Sequence, residues 1–203
     1  LLMFTGDLMC QTRQQEAAKT EDGTYVFNDS FNIVKNVFSQ ADFVAGNLES
    51  LLSNTSPYMS EEKALGGEPH CNGPSTYLDA LKYAGFDALV NANNHITDNG
   101  ERGLLQTLDL LEKYKFAYTG SFRNKEEQRF LIVNVNGIKI ALMSYSEKFN
   151  GKDITLDEDV REIMINRYTK EALEKDVKDA KAMGAEYIIA YNHWGVEYTN
   201  DYN

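Results

Sequence analysis

The most constraining feature of this chain is a repeated order: a short apolar run, then polar residues able to bind a metal or move a proton, then a segment with helical spacing. Residues 1–5 end at Gly6-Asp7, and residues 42–46 end at Asn47-Leu48-Glu49. Residues 86–91 run into Asn93-Asn94-His95, and residues 186–191 deliver Asn192-His193-Trp194-Gly195. Strands alternating with helices favour an α/β fold. In open α/β sheets, ligands bind beyond the carboxyl ends of the strands. Four segments that end this way point to one shared site.

The helical segments are read from spacing. Residues 101–115 carry Leu104, Leu105, Leu108, Leu110 and Leu111 on a broad apolar face. Residues 169–183 turn Leu173, Val177 and Ala180 inward, and residues 76–84 form a helix closed by Gly85. Residues 30–39 place Phe31, Val34 and Phe38 at helical spacing, with Asp29 as the expected cap. Asn136-Gly137 between residues 130–135 and 138–145 predicts a tight hairpin. Residues 116–119 read as a further short strand. Residues 50–74 form a long polar excursion, and residues 146–167 are polar and charged with no clear period.

Charge narrows the partners. Of 203 residues, 20 are Lys or Arg and 31 are Asp or Glu, a net charge of −11. A nucleic-acid binder would show a basic balance instead, so nucleic acid is not an expected partner. An anionic substrate stays open, because a bound divalent cation inverts the local field. No apolar run reaches the roughly 18 residues of a membrane helix. The chain opens inside an apolar run and stops shortly after another, so the expectation is that both natural ends lie outside it.

Each strand-end group has a chemical and an ordinary reading. Asp7 can hold a cation, but Gly-Asp is also a common turn pair. Asn47 and Glu49, two apart, share a side in extended geometry; Glu49 can bind metal and Asn47 can orient a substrate oxygen. His95 suits protonation of a leaving group. Asp98 either orients that ring or starts the next helix, and the asparagines also suit turns. His193 is one of only three histidines, and two of the three stand at strand ends. Trp194 and Tyr198 offer a pocket wall or plain packing. His70-Cys71 has no zinc-type partner spacing. Cys10 and Cys71 pair if the protein is exported and stay free thiols if it is not. There is no phosphate-binding Gly-Lys-Ser/Thr loop, no dinucleotide Gly-x-Gly-x-x-Gly and no Gly-x-Ser-x-Gly elbow.

Taken in order, Gly6-Asp7-Leu8-Met9, Asn47-Leu48-Glu49, Asn93-Asn94-His95 with Asp98 and Gly100, and His193-Trp194-Gly195 with Glu197 and Tyr198 resemble the bacterial CapA family. These are poly-gamma-glutamate capsule biosynthesis proteins whose fold is similar to the calcineurin-like metallophosphoesterases. The Ala84-Gly85-Phe86-Asp87 junction and the Asn136-Gly137 hairpin extend the resemblance over the whole chain. It implies one domain over residues 1–203, a four-layer α-β-β-α sandwich that is C-terminally incomplete. It implies divalent metal ions (Mn, Fe or Zn) on Asp7, Glu49, Asn94 and His193. His95 matches the histidine that assists the leaving group, with Asp98 behind it, and Asn47, Asn93, Trp194 and Glu197 are expected at the substrate. Three positions depart from the phosphoesterase pattern: Met9 stands where a histidine is usual, Glu49 stands where an aspartate is usual, and the last histidine motif would fall after Asn203.

Two functions follow as expectations. One is a metal-dependent hydrolase acting on a phosphoester or a polyglutamate-type amide. The other is a non-catalytic polymer-binding or export component with a degenerate site. Either implies an anionic polymer or small-molecule substrate and a membrane-bound polymer synthase complex as partner. The expected location is extracytoplasmic, or membrane-anchored through a preceding N-terminal segment.

Overall fold

The computed structural model describes residues 1–54 and 71–196. Numbered in chain order, the strands are β1 (Leu2–Leu8), β2 (Phe43–Leu48), β3 (Leu51–Leu52), β4 (Asn72–Gly73), β5 (Ala88–Val90), β6 (Ala117–Thr119), β7 (Leu131–Val135), β8 (Ile138–Ser146) and β9 (Tyr187–His193). The α-helices are α1 (Thr12–Ala18), α2 (Asn32–Phe38), α3 (Tyr77–Ala84), α4 (Gly100–Lys113), α5 (Glu158–Met164) and α6 (Lys170–Ala182).

Strands β1, β2, β5 and β6 make a parallel sheet in the spatial order β1-β2-β5-β6. A second sheet, β7-β8-β9, pairs β7 with β8 antiparallel and β8 with β9 parallel. Period-two alternation sorts their side chains into three apolar clusters. Phe43, Ala45, Ala88 and Val90 from the first sheet meet Val135, Ile140 and Leu142 from the second. Their strand neighbours Val44, Leu48 and Leu89 face the other way, toward Leu78 and Leu81 of α3 and Leu104, Leu108 and Leu111 of α4. On the far side Ala141, Met143 and Tyr145 of β8 face Ala172, Leu173, Val177 and Ala180 of α6. The clusters lie between helices and sheet, between sheet and sheet, and between sheet and helix, which is the α-β-β-α order. Leu104, Leu108 and Leu111 are fully buried at i, i+4 and i+7, worth about 1.5–3 kcal/mol each by area.

Several local expectations hold and some need correction. Asn136 (φ 53°) and Gly137 (φ 90°) both take left-handed conformations and close the β7–β8 hairpin, as a two-residue primed turn requires. Thr169 caps α6 by accepting the Ala172 N–H at 3.0 Å. Asp29 does not cap α2. It sits inside the 3-10 turn Asn28–Phe31 and accepts from the Asn32 amide instead. Phe31, the last residue of that turn, is buried, while Ile33, Val34 and Val37 of α2 face solvent. Asp98 does not start the next helix; Asn99 precedes α4, and the Asp98 carboxylate is turned inward. The stretch 146–167 contains the 3-10 turn Asp153–Thr155 and α5.

Parallel pairing puts the carboxyl ends of β1, β2 and β5 on one edge. A bulge at Gly6 shifts the β1 register so that Asp7 stands opposite Asn47. Gly46 permits this approach: a Cβ there would stand 2.4 Å from Thr5 Oγ1 and 2.8 Å from Leu8 Cδ1. Tyr191 of β9 then ties the two sheets together. Its partly buried hydroxyl shares its proton between the carbonyls of Ala45 (3.0 Å) and Thr5 (3.2 Å). Burial pushes that phenol up to about 12. The same contact fixes the end of β9, and so His193, over the ends of β1 and β2.

Candidate functional site

At this shared edge Asp7, Glu49 and His193 each offer a ligand atom, and the atoms lie within 4.8 Å of one another. His193 Nδ1 is 3.9 Å from Asp7 Oδ1, and His193 Nε2 is 3.7 Å from Glu49 Oε1. His95 Nε2 faces the same Glu49 oxygen at 3.9 Å. Asp7 comes from β1, Glu49 follows β2, His95 follows β5 and His193 ends β9, so residues far apart in sequence meet here.

Behind this group lies a buried polar network. Asn47 Nδ2 donates to Asp7 Oδ1 at 2.8 Å. Asn93 Nδ2 donates to Asn47 Oδ1 at 3.1 Å and to the Leu48 carbonyl at 2.8 Å, and Asn93 Oδ1 accepts the His95 N–H at 3.1 Å. His95 Nδ1 lies 2.9 Å from Asp98 Oδ2. That oxygen also accepts the Cys71 N–H at 2.8 Å, and Lys152 Nζ stands 3.4 Å from Asp98 Oδ1. A backbone N–H and an ammonium already point at this carboxylate, so it serves as the acceptor toward His95. The His95 ring therefore donates from Nδ1, and its Nε2 is turned toward Glu49.

A second group, Cys71, His95 and Asp98, also falls within 4.8 Å. It is poorly suited to a metal. His95 and Asp98 are already hydrogen-bonded to each other. Burial, with Asp98 and Glu49 adding to it, pushes the Cys71 thiol up to about 12. Cys10 is likewise pushed up to about 12 by burial, and both cysteines are buried free thiols.

Comparison with known proteins places the chain in a family. The profile of the family described as "Bacterial capsule synthesis protein PGA_cap" matches residues 1–203. The chain belongs to this family.

Two curated relatives are similar along nearly the whole chain. The capsule biosynthesis protein CapA of Bacillus anthracis is 28% identical over 202 residues, covering 98% of this chain and 47% of that protein. The PGA biosynthesis protein CapA of Bacillus subtilis (strain 168) is 28% identical over 202 residues, covering 98% of this chain and 50% of that protein. The chain thus spans about half the length of the curated relatives it matches. Among solved structures, the calcineurin-like phosphoesterase YfkN from Bacillus subtilis aligns with TM-score 0.57 at 12% identity, over 99% of this chain and 64% of that one. At that identity the likeness is one of fold: this capsule synthesis family member has the calcineurin-like α/β architecture.

The remaining expected site residues fall as follows. Asn94 is buried in the loop that carries His95; its Nδ2 donates to Asn150 Oδ1 at 3.3 Å, and its Oδ1 accepts no hydrogen bond among the described residues. Trp194 is half exposed and meets the Tyr168 ring edge-on at 5.4 Å. Glu197, Tyr198 and His70 lie outside the described residues. Sequence reasoning missed Lys152 and Asn150, which approach Asp98 and Asn94 from the stretch after β8. The only available signal was Asn150-Gly151, a pair that turns the chain with positive φ at both residues. A cavity of about 380 Å³ opens beside Asp7, with Phe31, Tyr77, Met9 and Arg13 on its walls.

Proposed function

We propose that this chain carries a metal-dependent hydrolase site that acts on the capsule polymer or its precursor at the cell envelope. The carrying observation is the convergence of Asp7, Glu49 and His193 beside the His95–Asp98 pair. Two carboxylates and an imidazole are a donor set that suits Mn, Fe or Zn. The buried Asn94 Oδ1, without a hydrogen bond among the described residues, offers a further neutral donor in the loop beside them. These residues fit a divalent cation, with Asp7, Glu49, His193 and Asn94 holding it. Such an ion, when bound, supplies Lewis acidity toward a phosphoryl or carbonyl oxygen.

The chain's own residues supply the rest. His95, with Nδ1 bound to Asp98, presents Nε2 to the reacting edge and moves the proton to the leaving group. Asp98 holds that ring in one orientation and stabilises its charged form. Asn47 and Asn93 spend their amides on Asp7, Leu48 and the His95 backbone, so their role is to position Asp7 and His95. Arg13, on the wall of the cavity beside Asp7, provides a cation for an anionic substrate. Trp194, half exposed directly after β9, offers an aromatic face for the substrate. A polymer of this kind implies a membrane-bound synthase complex as partner, and envelope association is what capsule synthesis requires of the family. Among the described residues no helix is long and apolar enough to cross a membrane.

The test is elemental analysis of purified wild-type protein and two variants, run beside phosphodiesterase and polyglutamate-cleavage assays. His193→Ala should lose metal and turnover together, and His95→Ala should keep metal and lose turnover. If wild-type protein binds no metal and turns over neither substrate, a non-catalytic polymer-binding role replaces this reading; if both variants keep wild-type metal content and turnover, the chemistry lies elsewhere in the protein.

A further inference from the structure

A second cavity of about 560 Å³ lies away from the metal-type group, between α5, α6 and the loop that precedes β7. It falls within the range of ordinary ligand pockets. Its walls carry Lys125, Arg129, Arg161, Arg167 and Lys175, against the carboxylates of Glu162 and Asp176. Five cations against two carboxylates on one lining stand out in a chain of net charge −11, although Asp153 and Asp179 approach two of them from outside it.

Most of these cations are not spent on ion pairs. Arg129 is held by neutral oxygens: Nη1 donates to the Ile163 carbonyl at 2.6 Å, and Nη2 donates to the Ile165 carbonyl at 3.2 Å and to Asn166 Oδ1 at 3.1 Å. Its guanidinium stacks on the Phe122 ring at 3.9 Å. Burial holds it below its ordinary value, with Asp176 acting in the opposite sense. Asp176 is itself buried and accepts the Tyr145 hydroxyl at 2.7 Å. Among the described residues, Lys125 and Arg161 have no carboxylate within ion-pair range. Arg167 and Lys175 are paired at their tips with Asp153 and Asp179. A hydrogen-bond relay links the groove to the end of β9: Arg167 Nη1 donates to the Glu147 carbonyl at 3.3 Å, and the Glu147 N–H donates to the His193 carbonyl at 3.0 Å.

We propose that this groove is a binding site for a run of carboxylates on an anionic polymer, separate from the metal-type group. Several separate cations on one lining, drawn from three segments of the chain, match repeated single charges better than one compact dianion. Partly buried guanidinium groups are suited to carboxylates, which they can grip with two parallel hydrogen bonds. The choice of a carboxylate polymer rests on the capsule-polymer reading above; the groove itself does not. Its position lets one stretch of polymer rest here while another reaches the strand ends at His193.

The experiment is fluorescence anisotropy of a labelled γ-linked glutamate oligomer, measured in chelator so that no metal contributes. Wild-type protein should bind, and added salt should weaken the binding. The double variant K125E/R161E should lose about tenfold or more in affinity, with an unchanged thermal melt. If charge reversal disturbs folding, K125Q/R161Q carries the same test with a smaller loss. Absence of oligomer binding in chelator, binding undiminished in the double variant, or tighter competition by polyphosphate of equal charge would each overturn the proposal. Metal content of the same samples reports separately on the hydrolase reading, so failure of one is distinguishable from failure of the other.

Discussion

Glu49, His95 and Asp98 expose at most 7% of their side chains, whereas Asp7 exposes 54% and His193 26%. The inner half of the site is part of the folded interior, fixed by a chain of hydrogen bonds from Asp7 through Asn47 and Asn93 to His95 and Asp98. The outer half stands on strand ends with solvent on one side. The difference separates two duties. Buried groups are held by their neighbours, Glu49 among them offering its carboxylate from the interior side, and Asp7 and His193 at the rim are left open to what they bind. Substitutions should therefore divide sharply: inner ones cost catalysis or folding, and outer ones cost binding with little effect on the apo fold.

The largest effect expected is on rate. His95→Ala removes the group that faces the reacting edge, and general acids contribute typically about 10²–10⁴-fold. Turnover in the phosphodiesterase or polyglutamate assay should fall by that factor while metal content is retained. A rate within about threefold of wild type would place the proton elsewhere.

Asp98→Ala comes next, and its readout is stability. The carboxylate is fully buried and serves His95, the Cys71 N–H and Lys152 at once. Breaking a buried charged pair by removing one partner costs about 3–5 kcal/mol. Urea denaturation of the metal-free protein measures it. A loss under about 1 kcal/mol would show that solvent reaches these partners and that the inner half is less closed than its geometry indicates.

Tyr191→Phe probes the joint between the halves. The hydroxyl is the one polar contact described here between β9 and the carbonyls of Thr5 and Ala45. Its removal should cost about 0.5–1.5 kcal/mol by denaturation. It should also loosen the placement of His193 and so weaken metal affinity. Unchanged metal affinity would mean that the β8–β9 ladder alone positions His193.

The same division governs what could be read from the sequence. Strand ends were legible because apolar runs terminate in Asp, Asn, Glu or His, and the parallel order follows from the intervening helices. That pattern alone assigns Asp7, Glu49, Asn94 and His193 to one edge, and the structure brings Asp7, Glu49 and His193 within 4.8 Å of one another. The partners of the inner half were not legible. Lys152 and Asn150 sit in a charged stretch where nothing in the local pattern distinguishes an ion pair from a solvated surface. Asp98 carried two readings, and only the inward turn of the loop before α4 decides for the ring over the helix cap. The error at Asp29 has a similar origin: a 3-10 turn ahead of α2 changes which residue is first in the helix, and side-chain spacing alone does not show it. The basic groove was hidden for another reason. Lys125, Arg129, Arg161, Arg167 and Lys175 are scattered through an acidic chain, and net charge averages their local excess away.

The smallest folding effect, and the cleanest contrast with Asp98, is expected for Asp7→Asn. Half of the Asp7 side chain is in water, and its one described hydrogen bond is accepted from Asn47 Nδ2 by Oδ1. An asparagine at this position keeps a carbonyl oxygen for that donor, so the metal-free protein should change by less than about 0.5 kcal/mol. What the substitution removes is a negative charge at the rim, beside His193 and Glu49. Metal affinity should then fall, and with it the ligand-linked gain in stability. A protein with metal at about a hundred times its dissociation constant gains about 2.7 kcal/mol over the apo form. Wild type should show such a rise in melting temperature on adding Mn, Fe or Zn, and Asp7→Asn should show little of it at the same concentration. If both respond equally, Asp7 is only a turn residue at the end of β1, and the ion is held by the inner carboxylate and the histidines alone. If the metal-free variant is instead destabilised as strongly as Asp98→Ala, then Asp7 belongs to the same rigid network as Asn47 and Asn93, and the boundary between the two halves lies outside it.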